Sequence, residues 1–223
     1  MRLACLFSGG KDSTYAAYLM EQAGHEVVNL VTVMPRDPHS WVFHTLNLEH
    51  LPEMARAMGK DLVAVPSSGE EGDDLSALRN ALTGLNVEGV VTGAIASDYQ
   101  WDRINGICEQ LDLKMFSPLW RKDQSMLLTD MISAGFKIMI VGVFAEGLGK
   151  SWLGKVLDRE ALGDLEQLAK VHGLNVSGEG GEYETLVLDS PVHLCELMPE
   201  EIVPNYHRDS GRLHIGRLSS RPK

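Results

Sequence analysis

The sequence predicts an α/β protein, a parallel sheet covered by helices and followed by a smaller, mixed α+β domain. Short apolar runs alternate with longer stretches of helical periodicity as far as Phe144. A loop rich in glycine and hydroxyl groups separates the first run from the first periodic stretch. Beyond Phe144 the texture changes to one amphipathic stretch and a Gly- and Glu-rich segment before a Thr-Leu-Val-Leu strand.

Taken in order, Leu3 to Phe7 reads as a strand, Ser13 to Ala23 as a helix and Val27 to Val33 as a second strand, which is a βαβ opening. A helix over about Leu48 to Met58, a strand at Leu62 to Val65, a helix over about Asp74 to Leu85 and a strand at Gly89 to Gly93 continue the alternation. Such alternation calls for a parallel sheet buried on both faces. A further helix covers Trp101 to Leu111 and Pro118 closes the segment. Ser125 to Ala134 is helical and Lys137 to Phe144 is an apolar strand. Leu162 to Val171 has Glu, Asp and Lys on its outer face, as a surface helix does. A soft domain boundary falls between Pro118 and Ser125, and the last dozen residues, rich in Arg, Ser and Pro, are expected to fray.

Composition narrows the function. With 20 Lys and Arg against 31 Asp and Glu the net charge is −11, which lacks the positive field that holds a nucleic acid backbone. The longest apolar stretch, Ile138 to Ala145, is far short of the ~20 residues that span a bilayer, and the N-terminal run is too short for a signal peptide core. Cys5, Cys108 and Cys195 are odd in number and lack ligand spacing, which fits a reducing cytosol and no zinc site. A cytoplasmic protein, with neither nucleic acid nor membrane as partner, is the expectation.

Ser8-Gly9-Gly10-Lys11-Asp12-Ser13 follows the first strand and opens the first helix, where free backbone N–H groups and a positive dipole end favour an anion. Both glycines are expected to allow positive φ and close approach to phosphate oxygens, Ser8 and Ser13 to add hydroxyl donors and Lys11 to supply a point charge. The spacing is neither Walker A nor GxGxxG. Asp12 either helps to hold Mg²⁺ or caps the loop.

Two further stretches stand out. Gly93 to Gln100 leaves the fourth predicted strand at its ligand-binding end, and Arg103 lies one helical turn beyond Gln100, so that both could face one cleft. The plainer alternative packs Tyr99, solvates Gln100 and gives Arg103 a surface ion pair. The second stretch, Gly178 to Asp189, sets Glu179, Glu182, Glu184 and Asp189 among Gly178, Gly180 and Gly181. Carboxylates on so bendable a backbone suit a cation, either Mg²⁺ or an ammonium group, although a charged hairpin turn would show the same pattern.

The Ser-Gly-Gly-Lys-Asp-Ser loop resembles the PP-loop of the ATP pyrophosphatases, which cleave ATP between its α and β phosphates. That loop, the Gly-x-Ile-x-Ser-x-Tyr-Gln-x-x-Arg segment, Pro118-Leu119-Trp120, the Gly147-Leu148-Gly149-x-x-Trp152-Leu153-Gly154 element and Glu-Gly-Gly-Glu-Tyr-Glu-Thr-Leu-Val-Leu-Asp together resemble the diphthine-ammonia ligase family, over nearly the whole chain and in its order. The resemblance implies a Rossmann-like, adenine nucleotide alpha hydrolase-like PP-loop domain over residues 1–122. Residues 123–223 would then form a substrate-recognition domain that closes the cleft. The implied activity is ATP-dependent amidation of diphthine on translation elongation factor 2 by ammonium, through an acyl-adenylate, with AMP and pyrophosphate released. ATP is the co-substrate and Mg²⁺ its expected companion, with the metal ligands left unassigned. Ser8, Gly9, Gly10, Lys11, Asp12 and Ser13 would hold the triphosphate, with Lys11 and Asp12 catalytic. Ser97, Tyr99, Gln100 and Arg103 would line the cleft with Gly180, Gly181 and Glu182. Glu179, Glu182 and Glu184 would recognise the trimethylammonium, guide ammonium or deprotonate it. A small-molecule amidoligase, a tRNA-modifying relative and a non-catalytic ATP or AMP sensor are the rival readings, and homo-oligomerisation is left open.

Overall fold

The computed structural model describes residues 1–35 and 47–223. The chain separates into two compact units, Met1–Trp120 and Arg121–Lys223.

The first unit alternates strands and helices: β1 (Arg2–Leu6), α1 (Lys11–Gln22), β2 (Glu26–Pro35), α2 (Leu51–Met58), β3 (Asp61–Ser67), α3 (Glu71–Thr83), β4 (Gly89–Val91), α4 (Asp98–Gln110) and β5 (Lys114–Phe116). The five strands are parallel in the order β3-β2-β1-β4-β5. Side chains alternate across the strands. Ala4, Leu6, Val31, Val33 and Val90 pack on Leu78, Leu82, Ile104, Ile107 and Cys108 of α3 and α4. From the opposite face, Cys5 Sγ lies 3.5 Å from the Ser13 carbonyl of α1. Both faces are therefore dry, and truncating a side chain as fully enclosed as Leu78 would cost about 2–5 kcal/mol. Strand order reverses between β1 and β4, and this switch point is where open α/β sheets bind ligands.

The second unit contains α5 (Gln124–Ser133), β6 (Lys137–Val143), α6 (Arg159–His172), β7 (Tyr183–Asp189), β8 (Cys195–His207) and β9 (Ser210–Pro222). Its sheet has the order β7-β6-β9-β8, with antiparallel pairing throughout. Glu196 of β8 accepts from Lys137 of β6 at 2.5 Å and from Arg221 of β9. These two hydrogen bonds, Lys137 first, hold its carboxyl below the usual carboxylate range.

Several expectations are corrected here. The C-terminal residues do not fray: they form β9, paired with β8 from Cys195 opposite Pro222 to His207 opposite Ser210. The strands β5, β8 and β9 are additions to the predicted set. α4 and α6 start earlier than periodicity suggested because capping residues stand further upstream: Ser97 accepts from the Gln100 N–H at 3.3 Å and Asp158 from the Ala161 N–H at 2.8 Å. Among the described residues, no helix is long and apolar enough to cross a membrane.

Candidate active site

The loop after β1 is shaped by its own polar groups. Gly9 is left-handed at φ +75°, whereas Gly10, the N-cap of α1, is extended at φ −79°, so only the first of the two glycines uses the freedom expected of both. Ser13 Oγ donates to the Gly10 carbonyl at 3.2 Å and accepts from the Ser8 N–H at 3.3 Å. Ser8 Oγ accepts from the Gly10 N–H at 3.4 Å, and Thr14 Oγ1 donates to the Gly10 carbonyl at 2.9 Å. These contacts pin the loop in the shape that presents the first-turn N–H groups of α1 to an anion.

Lys11 is enclosed, with 3% of its surface exposed, and its Nζ lies 2.8 Å from Asp12 Oδ2. A lysine buried beside a helix N-terminus meets no balancing charge from the dipole, so the Asp12 carboxylate supplies it. Asp12 Oδ1 is buried and lacks a hydrogen-bond partner among the described residues. Such an oxygen fits a cation carried in with a triphosphate, since Mg²⁺ is usually held by one or two carboxylates together with substrate phosphates.

The loop after β4 reaches the same switch point. A Cβ on Gly93 would lie 2.7 Å from the Asp12 carbonyl carbon and from the Ser13 nitrogen, so β4 can run against the phosphate loop only with glycine there. This contact brings two of the predicted motifs together. Ser97 serves as the cap of α4. Tyr99 is partly exposed, and the Arg103 guanidinium stacks 3.4 Å from its ring centroid while Nη1 donates to the Tyr99 carbonyl at 3.3 Å. Arg103 thus turns back one helical turn. It lines a cleft of about 200 Å³ between α3 and α4, together with Arg79, Asp102 and Gln110.

In the second unit the glutamate-rich loop enters β7. Glu182 is half-buried and accepts through Oε1 from the Asn175 N–H at 2.8 Å and from Asn175 Nδ2 at 2.7 Å, and through Oε2 from the Gly180 N–H at 2.8 Å. Glu179 and Glu184 flank it and are also half-buried. A Cβ at Gly180 would come within 2.8 Å of Asn175 Nδ2 and Glu182 Oε1, so any larger residue there would displace the Asn175–Glu182 contact. Gly147 lines two clefts, of about 420 and 460 Å³, and Leu148 and Gly149 line the second. Sequence reasoning passed over Asn175, Gln124 and Arg79, since isolated Asn, Gln and Arg residues carry no motif. Burial pushes the Cys5 thiol up to about 12 and the Cys108 thiol up to about 11, with Glu21 and Glu109 adding to it, so neither is a thiolate nucleophile at neutral pH.

A parallel sheet with an anion-binding loop and two helix N-termini at its switch point defines a nucleotide-binding α/β protein, here with a second, carboxylate-bearing unit. Residues 1–115 match the diphthamide synthase N-terminal domain and residues 123–220 the diphthamide synthase C-terminal domain, so the chain belongs to the diphthamide synthase family. A diphthine–ammonia ligase of Danio rerio is 34% identical, over 98% of this chain and 94% of its own length. The human diphthine–ammonia ligase is 37% identical over 86% of this chain and 80% of its own. The one from Schizosaccharomyces pombe is also 37% identical over 86% of this chain, which spans 35% of that longer protein.

Proposed function

We infer that this chain is a ligase that forms a C–N bond, amidating diphthine with ammonia at the expense of ATP, the last step of diphthamide biosynthesis. The acceptor is diphthine on translation elongation factor 2, and the compartment a reducing cytosol. The observation that carries this reading is the phosphate loop held at the β1/β4 switch point in a chain that also bears the Glu-Gly-Gly-Glu loop.

A carboxylate is a poor acyl donor because its oxygen is a poor leaving group. Its oxygen attacks the α-phosphorus of ATP, the bond to the bridging oxygen of the β-phosphate breaks, and pyrophosphate departs with the electron pair. The α1 N–H groups, Gly9 and Gly10 cradle that leaving group, and Lys11 balances the charge that develops on it. Ammonia then attacks the acyl carbon, AMP leaves with the C–O electron pair, and the nitrogen sheds a proton to give the amide. Ammonium must lose one proton before its lone pair can attack, and Glu179 and Glu184 are the carboxylates assigned to receive it or to hold the quaternary ammonium of diphthine. Ser97, Tyr99, Gln100 and Arg103 follow the C-terminal end of β4, and in this reading they are the residues that would meet the substrate. Mg²⁺, when bound, would neutralise the triphosphate, and the buried Asp12 Oδ1 would be the protein oxygen to hold it.

The test combines purified protein, Mg²⁺-ATP, ammonium and elongation factor 2 bearing diphthine, and follows AMP together with the acid-to-amide mass change on the factor. Amide formed in step with AMP is the expected result. AMP formed only with a different acceptor would keep the chemistry and overturn the substrate, and ATP bound without AMP under any acceptor would overturn catalysis.

A further inference from the structure

An ionised carboxylate has about four lone-pair sites and, when it works on a substrate or a metal, keeps some of them for that purpose. Glu182 has committed three to its own loop, through the Asn175 N–H, Asn175 Nδ2 and the Gly180 N–H. Asn175 is held in turn. Its Oδ1 accepts from Gln124 Nε2 at 3.2 Å, and Gln124 Oε1 accepts from the Ser177 N–H at 3.0 Å. The rest of the loop closes around this chain of contacts: the Gly178 N–H donates to the Asn175 carbonyl at 2.9 Å, and the Tyr183 hydroxyl to the Val176 carbonyl at 2.7 Å. Ser177 is fully buried beneath it.

We propose that Glu182 is a positioning residue, and that Gln124, Asn175 and Glu182 form a clasp that sets the 175–182 loop so that Glu179 and Glu184 meet the cationic, diphthine-bearing substrate. The proposal rests on the ligase reading of this loop for its consequence, and on the hydrogen bonds alone for the clasp itself. Gln124, the first residue of α5, lies 51 residues from Asn175 and 53 from Ser177. A catalytic glutamate would have no need of so distant a partner. A clasp does, because a Gly-rich loop left to itself populates many conformations, and substrate binding would have to order it each time.

Two measurements decide it. The first is amide hydrogen exchange at Asn175, Ser177 and Gly180 in the protein without ATP or acceptor. Gln124→Ala should speed exchange at all three, while Gln124→Glu, which keeps the acceptor for the Ser177 N–H, should retain protection there. The second is a double-mutant cycle of Gln124→Ala and Glu182→Ala in the amidation assay. Each single variant should raise KM for the diphthine-bearing factor by up to roughly tenfold, the worth of about one hydrogen bond, with ATP affinity unchanged, and the double variant should be no worse than Glu182→Ala. The clasp is overturned if the two effects multiply, or if Glu182→Gln abolishes kcat at unchanged KM while Asn175→Ala does nothing. If the wild type produces no amide, the ligase reading fails, and the exchange experiment still decides the clasp.

Discussion

Gly93→Ala tests the contact on which the nucleotide site depends. The added methyl would sit 2.7 Å from the Asp12 carbonyl carbon and the Ser13 nitrogen, and 3.0 Å from the Asp12 oxygen, where ordinary contact begins at 3.4 Å. All three obstacles are backbone, so no rotamer change relieves them, and either β4 or the first turn of α1 must move by about 0.7 Å. Overpacking of this kind costs about 1–3 kcal/mol. In a chain of this size that lowers Tm by roughly 2–4 °C for each kcal/mol. The functional cost is larger, because misplacing catalytic groups by about 1 Å can cost about 10²-fold in rate. Differential scanning calorimetry and ATP titration on the same sample should therefore show a modest loss of Tm beside a loss of ATP binding or AMP formation of about one to two orders of magnitude. Gly106→Ala in α4 is the control: a Cβ there meets nothing within 4 Å, and the helix should gain about 0.5–1 kcal/mol. A Gly93→Ala protein with wild-type turnover would refute the argument that this close approach holds the loop.

Replacing Lys11 by Met keeps the buried stem and removes the ammonium, so AMP formation should fall by about 10²–10³-fold, measured in a variant whose circular dichroism is unchanged. Near-normal turnover would remove Lys11 from the mechanism. His193, 5% exposed, is pushed down to about 4, chiefly by burial, with Asp189 opposing and Lys223 reinforcing the shift. Between that value and its ordinary 6.5 the unfolded chain binds more protons than the native one, so stability is fully present above pH 6.5 and is lost as pH falls towards 4. The loss amounts to about 3 kcal/mol and shows as a falling urea midpoint, whose slope should flatten in His193→Gln; an equally steep slope in that variant would assign the titration elsewhere.

The doubly wound unit was legible because its strands are buried on both faces and its helices on one. Leu3 to Phe7 is an unbroken apolar run and Val27 to Val33 is apolar except for Asn29 and Thr32, and the change to helical periodicity after Ser13 marks where the chain turns. The three residues of β5 were too few to show a period. The β8–β9 ribbon escaped for a different reason. Its outer face carries Glu196, Glu200, Arg217 and Arg221 as cross-strand neighbours, and Pro199 and Pro204 interrupt β8, so locally it reads as loop. The cross-strand charge pairs that hold it appear only once the register is known. At the site, the phosphate loop was readable since glycine, lysine and hydroxyl residues are consecutive. The hydrogen bonds of Glu182 were not, because a count of carboxylates cannot show which of them accepts from Asn175 and the Gly180 N–H.

The net charge of −11 sets a problem that the phosphate loop must solve. A field of that sign draws in ammonium but repels ATP, so nucleotide affinity has to come from groups that act at contact range. In the proposed reading the α1 N–H groups do so, and the Lys11–Asp12 pair is largely shielded from solvent at 4% and 28% side-chain exposure, where added salt screens it little. Raising ionic strength should therefore weaken the repulsion more than the binding contacts. ATP affinity measured by calorimetry should stay level or tighten as salt rises from about 0.05 to 0.3 M, over which the screening length shortens from above 10 Å to below 8 Å. Amidation at subsaturating ammonium should slow over the same range, since the attraction for the cation is screened. An ATP affinity that fell steeply with salt, as polyanions do on basic surfaces, would mean that exposed Lys and Arg side chains, and not the enclosed loop, hold the nucleotide.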